Sequence, residues 1–313
     1  MRLLLLGCTG FIGSELVPRL IKSGHEIVLV SRKKKSTYVD FGSVNQITSL
    51  QANPTISSSW ESDELISALK DADGVINLVG EPIADKRWTL KHCQEIKNSR
   101  LKTTKYLIQA IAKLSSSKKV LINGSAIGFY GTNATSSFDE NSPSGNDFLA
   151  NVCKEWEANA SVENVQTRLV ILRIGIVLEK NGGALGKMLP IFKAGFGGPI
   201  GSGKQWMSWV HRADLCKIIE HALLNRNWEG VINAVSPNPV TMSEFTNTLG
   251  RSLNRPSLLP VPGPLLKALL GDGAKVVLEG QKVSSKRLTK LGFKFSYPTI
   301  KDALEAISIS SSK

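Results

Sequence analysis

No apolar run in this 313-residue chain approaches the roughly 20 residues that a membrane-spanning helix needs, so a transmembrane segment is excluded. Its four cysteines, Cys8, Cys93, Cys153 and Cys216, lie far apart and form no C-x-x-C pair, which argues against a zinc site and for free thiols in a reducing compartment. A cytoplasmic protein is the expectation. The four histidines form no H-E-x-x-H helix, so no metal site is expected. Acidic residues are the scarcer charge, 26 against 39 Lys and Arg, and the resulting net charge of +13 attracts anions of any kind. Nucleic acid is not the favoured partner, because the basic residues cluster only at Arg32 to Lys35 and Lys282 to Arg287, with no basic and aromatic ribbon between them. A lysine-biased proteome gives the same surplus. There is no internal repeat and no low-complexity tract beyond short serine runs.

What the sequence does have is 42% hydrophobic residues, enough to bury a full core, and an informative start, MRLLLLGCTGFIG. Arg2 to Leu6 reads as a buried parallel strand, and Gly7, Gly10 and Gly13 follow at three-residue spacing before a helical pattern begins. Such glycines permit a tight turn, a close approach of backbone to a pyrophosphate, and close packing of helix on sheet. The helix N-terminus adds free N–H groups for the phosphates. Gly7, Thr9, Gly10, Phe11, Ile12 and Gly13 are therefore candidate cofactor contacts. A secretory segment is the competing reading of Arg2 and the leucine run. It is rejected because Cys8 arrives before the apolar stretch of about 7 to 15 residues that such a segment requires.

Ile12, Leu16 and Leu20, joined by Val17 and Ile21, give the first crossover helix, which Gly24 ends and Pro18 is expected to kink slightly. Ile27 to Val30 is the second strand. A site preferring NAD wants an acid at this strand end to hold the ribose 2′-hydroxyl. Ser31 and Arg32 stand there instead, a hydroxyl and a guanidinium fork suited to a 2′-phosphate, so NADP is the expected cofactor. Lys34 and Lys35 read as a solvated loop. Residues 36–59 are weakly patterned, with at most a short strand over Gln46 to Leu50. Glu61 to Lys70 reads as a helix, and Gly74 to Gly80 as a strand and turn that place Leu78, Val79 and Gly80 beside the crevice. The pattern predicts a helix over Asn98 to Leu114, with Arg100 either facing the crevice as a cofactor contact or covering the surface. Lys119 to Asn123 and Gln166 to Ile174 are further strands, the latter ending near Arg173. Beyond them come a helix over Leu185 to Lys193, a glycine-rich loop from Gly195 to Gly203, and Trp206 and Trp209, which either line a cleft or anchor the loop. Asp214 sits in a helix running to Leu224, Gly230 to Val235 is a strand, and Thr241 with Glu244 starts another helix as a capping box.

GCTGFIG, NLVG after the fourth strand, the Ser125 strand end with its Phe129-Tyr130-Gly131, and Trp209-Val210-His211-Arg212-Ala213-Asp214 resemble the extended short-chain dehydrogenase/reductase superfamily. NLVGEPIADKRW, NSRLKTT, DFLANVCKEWE, FGGPIGSGKQWMSWVH and EGQKVSSKRL narrow the resemblance to an atypical epimerase-family subgroup often labelled a cell-division inhibitor of SulA type. The resemblance spans nearly the whole chain. It implies an α/β Rossmann fold, doubly wound, with a mainly parallel sheet and a smaller C-terminal substrate-binding part. The expected divisions are an NADP-binding domain over 1–176, a mixed segment over 177–254 and a small helical domain over 255–313.

One departure bears on chemistry. The catalytic members use Tyr-x-x-x-Lys on the helix after the serine strand, the phenol moving the proton and the lysine holding the ribose. Here Lys154 fills the lysine position, while Ala150 occupies that of the tyrosine and cannot transfer a proton. Tyr297 to Lys301 matches the motif literally, but Pro298 favours an extended Tyr297 ahead of a helix, so it is read as a decoy. The catalytic candidates are Ser125, Tyr130 and Lys154. Tyr130 either bends into the crevice or packs under its turn. Two functions remain in play: an NADP-dependent oxidoreductase or epimerase acting on a small polar molecule such as a sugar nucleotide, and a non-catalytic NADP-binding regulator linked to division or redox state.

Overall fold

The structure is a computed structural model that describes residues 1–33, 46–114, 118–161 and 166–309. Lys34, Lys35 and residues 36–45 lie outside the described residues. Seven strands, β1 (Arg2–Leu6), β2 (Glu26–Ser31), β3 (Ile47–Gln51), β4 (Gly74–Asn77), β5 (Lys119–Ala126), β6 (Thr167–Ile174) and β7 (Gly230–Ala234), form one sheet. Their order is β3-β2-β1-β4-β5-β6-β7, and every neighbouring pair is parallel. The chain works outward from β1 in one direction and then resumes at β4 in the other. That reversal opens a crevice beyond the carboxyl ends of β1 and β4.

The leucine run of β1 shows why both faces are covered. Leu3 and Leu5 join Leu16 and Leu20 of α1 (Gly13–Lys22) in one core, while Leu4 and Leu6 join Leu65 and Leu69 of α2 (Asp63–Asp71) in another. Leu107 and Ile111 of α3 (Leu90–Ala112) complete the second face. A strand alternates its side chains, so a run without polar interruption demands apolar partners above and below. Each buried leucine contributes about 1.5–3 kcal/mol.

Several boundaries differ from the sequence pattern. Helix α3 starts eight residues before Asn98, because the Thr89 hydroxyl accepts from the His92 N–H at 3.2 Å and caps a polar first half with only His92 and Ile96 buried. Strand β5 runs past Asn123 to Ala126, since Gly124, Ser125 and Ala126 pair with Leu172, Arg173 and Ile174. Strand β4 stops at Asn77, leaving Leu78 to Gly80 as the turn. Helix α2 starts at Asp63, capped by Ser62, with a 3₁₀ turn over Ser57–Glu61 before it.

Further along come α4 (Phe148–Asn159), α5 (Gly183–Lys193), α6 (Arg212–Leu224) and α7 (Met242–Ser252). Leu215, Ile218 and Ile219 of α6 pack with α1 on the sheet. A separate core joins Leu185, Leu189 and Phe192 of α5, Phe245 and Leu249 of α7, and the helix Ile300–Ile309. Trp209 lies in that core with its Nε1–H donated to Asn238 O, so it anchors rather than lines a cleft. Trp206 is half-buried, donates to Ala134 O and lies under Lys282.

Candidate functional site

The glycine loop between β1 and α1 forms the first wall of the crevice. Gly7 has φ +74°, and a Cβ there would come within 2.5 Å of the Val79 nitrogen. A Cβ on Gly13 would stand 1.8 Å from the Cys8 carbonyl oxygen, so helix and loop touch as no other residue allows. On Gly10 it would meet nothing within 4 Å, and no side chain caps α1. The loop thus offers open space at the N-terminus of α1, the setting in which a helix N-terminus takes an anion, while the Ser14 N–H is bonded to the Gly10 carbonyl and the Glu15 and Leu16 N–H groups to that of Ile12. Thr9 and Ile12 are half-buried in this loop, and Ile12 lines the cleft. The Phe11 ring instead faces Gly182 and Gly183 and lies 5.1 Å from the Arg212 guanidinium, which also bonds Glu15, Glu179 and the Phe11 carbonyl. The Trp-Val-His-Arg-Ala-Asp stretch is thereby explained by structure: Arg212 clamps the loop, His211 caps α6, and the buried Asp214 accepts the N–H groups of Ser296 and Tyr297. Burial holds His211 below its ordinary pKa, in keeping with a neutral ring stacked on Tyr297. Tyr297 precedes the last helix, so the literal Tyr-x-x-x-Lys shares no helical face.

At the end of β2, Ser31 is buried and its hydroxyl oxygen accepts from the Lys33 N–H at 3.1 Å, while Arg32 is exposed and bonds no described residue. No acid stands at that strand end. The opposite wall is Leu78, Val79 and Gly80 with Arg100 behind them. Arg100 faces the cleft: its Nη1 donates to the carbonyls of Glu81 and Ile96, its fork lies 5.4 Å over Trp156, and a Cβ on Gly80 would approach its Nη2 to 2.8 Å. Burial pushes its pKa down, and no ion pair offsets this among the described residues. A half-buried guanidinium beside a cleft has the chemistry to take an anion.

The far end, between β5, α4 and β6, is a cleft of roughly 160 Å³ that Ile12, Gly80, Arg100, Ser125, Trp156 and Ile174 help to line. Ser125 donates from Oγ to Glu157 Oε1 at 2.6 Å, and Glu157 is gripped by Arg173 through Nε at 2.9 Å and Nη2 at 2.8 Å. Burial opposes the charge on Arg173, but the hydrogen bonds and charge of Glu157 outweigh it and raise its pKa. Tyr130 does not bend into the crevice. It is 3% exposed, donates to Asn233 Oδ1 at 2.7 Å, accepts from Arg173 Nη1 at 2.9 Å and stacks on Phe138. Burial raises its pKa, so it stays a phenol.

Lys154 is exposed and is not among the residues that line this cleft. Ala150, Val152, Cys153 and Trp156 form the buried stripe of α4. At about 100° per residue, Lys154 stands about 40° from Ala150 on the side away from Val152, Cys153 and Trp156, whereas Glu157, seven residues on, stands about 20° from Ala150 on their side. Three asparagines were also missed. Asn77, Asn123 and Asn233 are each fully buried, and Asn77 bonds Asn123 and Thr104, which Trp156 also reaches. The signal was present as the recurring Ile-Asn at the ends of Val75 to Asn77, Leu121 to Asn123 and Val231 to Asn233.

A doubly wound parallel sheet with a glycine turn at its first crossover and a crevice at the switch point defines a Rossmann-type dinucleotide fold. The chain belongs to the NAD dependent epimerase/dehydratase family, whose sequence pattern matches residues 3–234. A "Domain of unknown function (DUF1731)" matches residues 261–307. Among its relatives are the "Epimerase family protein SDR39U1 homolog, chloroplastic" of Arabidopsis thaliana, 46% identical over 303 residues covering 96% of this chain and 85% of that protein, and the Homo sapiens "Epimerase family protein SDR39U1", 39% identical over 312 residues covering 98% and 99%. The crystal structure of human SDR39U1 with NADPH superposes with a TM-score of 0.87 at 37% identity, covering 99% of both chains. A nucleoside-diphosphate sugar epimerase from Corynebacterium glutamicum gives 0.73 at 28% identity, covering 99% of this chain and 58% of that one.

Proposed function

We propose that this chain binds NADP(H) and acts as an oxidoreductase or epimerase on a small polar substrate, with sugar nucleotides the first class to test. The observation that carries the reading is the open, uncapped glycine loop combined with a β2 end that presents Ser31 and Arg32 and no acid. The residues fit the cofactor: Gly7 to Gly13 would hold the pyrophosphate, Ser31 and Arg32 the 2′-phosphate, and Leu78 to Gly80 with Arg100 the inner half. Bound there, it would supply hydride transfer, leaving the protein to orient the substrate and move a proton. The NADPH of the human relative's crystal structure and the sugar-nucleotide name of the Corynebacterium protein support this reading. In it, residues 1–176 bind the cofactor, and 177–254 with 255–313 close the substrate side.

One observation favours a second reading, a non-catalytic NADP-binding regulator of division or redox state. Ala150 is fully buried, Lys154 faces solvent and the Tyr130 hydroxyl is committed to Asn233 and Arg173, so none of the usual acid–base groups reaches the cleft. No helix among the described residues is long and apolar enough to cross a membrane, and the four cysteines are free thiols, which fits a reducing compartment such as the cytoplasm. Mixing the protein with NADP+ or NADPH and a panel of nucleotide sugars and carbonyl compounds separates the two. Cofactor turnover supports the enzyme; tight NADPH binding without turnover of any member supports the regulator.

A further inference from the structure

The residues lining the inner cleft include no carboxylate, phenol, imidazole or ammonium group; Arg100 is their one charge and Ser125 their one hydroxyl. A proton exchanged with a substrate held there must pass through that hydroxyl or through water. The hydroxyl already points its proton at a carboxylate 2.6 Å away. Glu157 does not need this bond for its own sake. Its two oxygens are met by the Nε and Nη2 of Arg173, a complete fork-on-fork pair whose side chains are 10% and 4% exposed. Ser125 adds a third donor to a satisfied carboxylate, on the side that borders the cleft.

Building on the oxidoreductase or epimerase reading, we propose that Ser125 is the catalytic proton-transfer residue of this cleft and that Glu157, fixed by Arg173, is the positioning residue that accepts and returns its proton. In the oxidative direction the substrate O–H bond breaks and its proton goes to Ser125 Oγ, while the Ser125 O–H bond breaks and its proton goes to Glu157 Oε1. The carbinol C–H bond breaks with its electron pair, which leaves as hydride to the oxidised nicotinamide, and the C=O bond forms. Reduction runs the same bonds in reverse. Arg173 keeps the carboxylate aimed at Oγ, and Tyr130, bonded to both Arg173 and Asn233, holds Arg173 in turn.

The test uses the full chain, NADP+ and UDP-glucose, read as NADPH absorbance. Wild type is expected to reduce the cofactor. Ser125→Ala and Glu157→Gln are expected to lower kcat by about 100-fold or more, the scale of lost acid–base catalysis, with KM and the Kd for NADPH within about twofold. Ser125→Thr should keep most of the activity. Since Glu157→Gln leaves Arg173 unpaired, Glu157→Ala is assayed with and without formate, and restored turnover on adding that small carboxylate is a result no merely structural role would give. Variants that turn over like wild type, or a loss that formate does not relieve, would overturn the relay and leave the enzyme reading standing. Wild type that binds NADPH but leaves NADP+ unreduced with UDP-glucose overturns the relay as stated for hydroxyl oxidation. Wild type that fails to bind NADPH overturns the cofactor reading itself.

Discussion

Replacing Arg32 by aspartate puts an acid at the carboxyl end of β2, where a dinucleotide fold holds the adenosine ribose. Arg32→Asp is expected to weaken NADPH binding by about 1.5–3 kcal/mol, the worth of hydrogen bonds to a charged group, and to affect NADH much less. Isothermal titration with both cofactors checks this, and equal losses would mark Arg32 as a general surface charge. At Tyr130 the expectation is of another kind. Tyr130→Phe leaves Asn233 Oδ1 and Arg173 Nη1 each short of a partner, so it should cost about 1–3 kcal/mol of stability in urea unfolding with NADPH affinity unchanged. An unmoved unfolding midpoint would take Tyr130 out of the network. The sequence pointed to Ser125 and Arg32 because strand ends are legible from apolar runs. It could not place the Tyr130 hydroxyl or the Lys154 ammonium, since both depend on which side of a turn or helix meets the sheet.

The glycine loop was legible as an element for a physical reason: its demands are local. Gly7 and Gly13 are required by backbone within the loop or one strand away, so their spacing carries the geometry. Gly13→Ala should therefore lower both stability and NADPH affinity, because its Cβ would stand 1.8 Å from the Cys8 carbonyl oxygen and the loop must shift to admit it. Overpacking of this kind typically costs about 1–3 kcal/mol, measurable as a lower melting temperature. A variant as stable and as tight-binding as wild type would show that the loop adapts freely. Helix α3 was only half legible: its second half carries an apolar stripe, while its first half is polar and is fixed by the Thr89 cap. Helix α4 was legible only through the motif register at Ala150 to Lys154, which said nothing of Glu157; the burial of Val152, Cys153 and Trp156 brings Glu157 to Ser125 and leaves Lys154 exposed.

For the whole molecule, the parallel order of the sheet followed from alternating strands and helices, each with its own apolar pattern. The second core did not, because α5, α7 and the helix Ile300–Ile309 come from segments far apart in sequence. Both cores leave a chemical trace in the thiols. Cys8, Cys153 and Cys216 are buried and desolvation raises their pKa values, Cys8 and Cys153 to about 12, while Cys93 is half-buried. A disulfide-exchange reagent should modify Cys93 alone in the native protein and all four thiols in denaturant; rapid reaction at Cys8 or Cys216 would contradict the packing of α1 and α6 on the sheet. Whether the fold is built around NADP(H) is tested by a fluorescence titration of the wild-type protein with NADPH and with NADH under the same conditions. NADPH is expected to bind about tenfold or more tighter, the equivalent of at least ~1.4 kcal/mol from the 2′-phosphate contacts. Equal affinity for the two, or no binding of either, would contradict it.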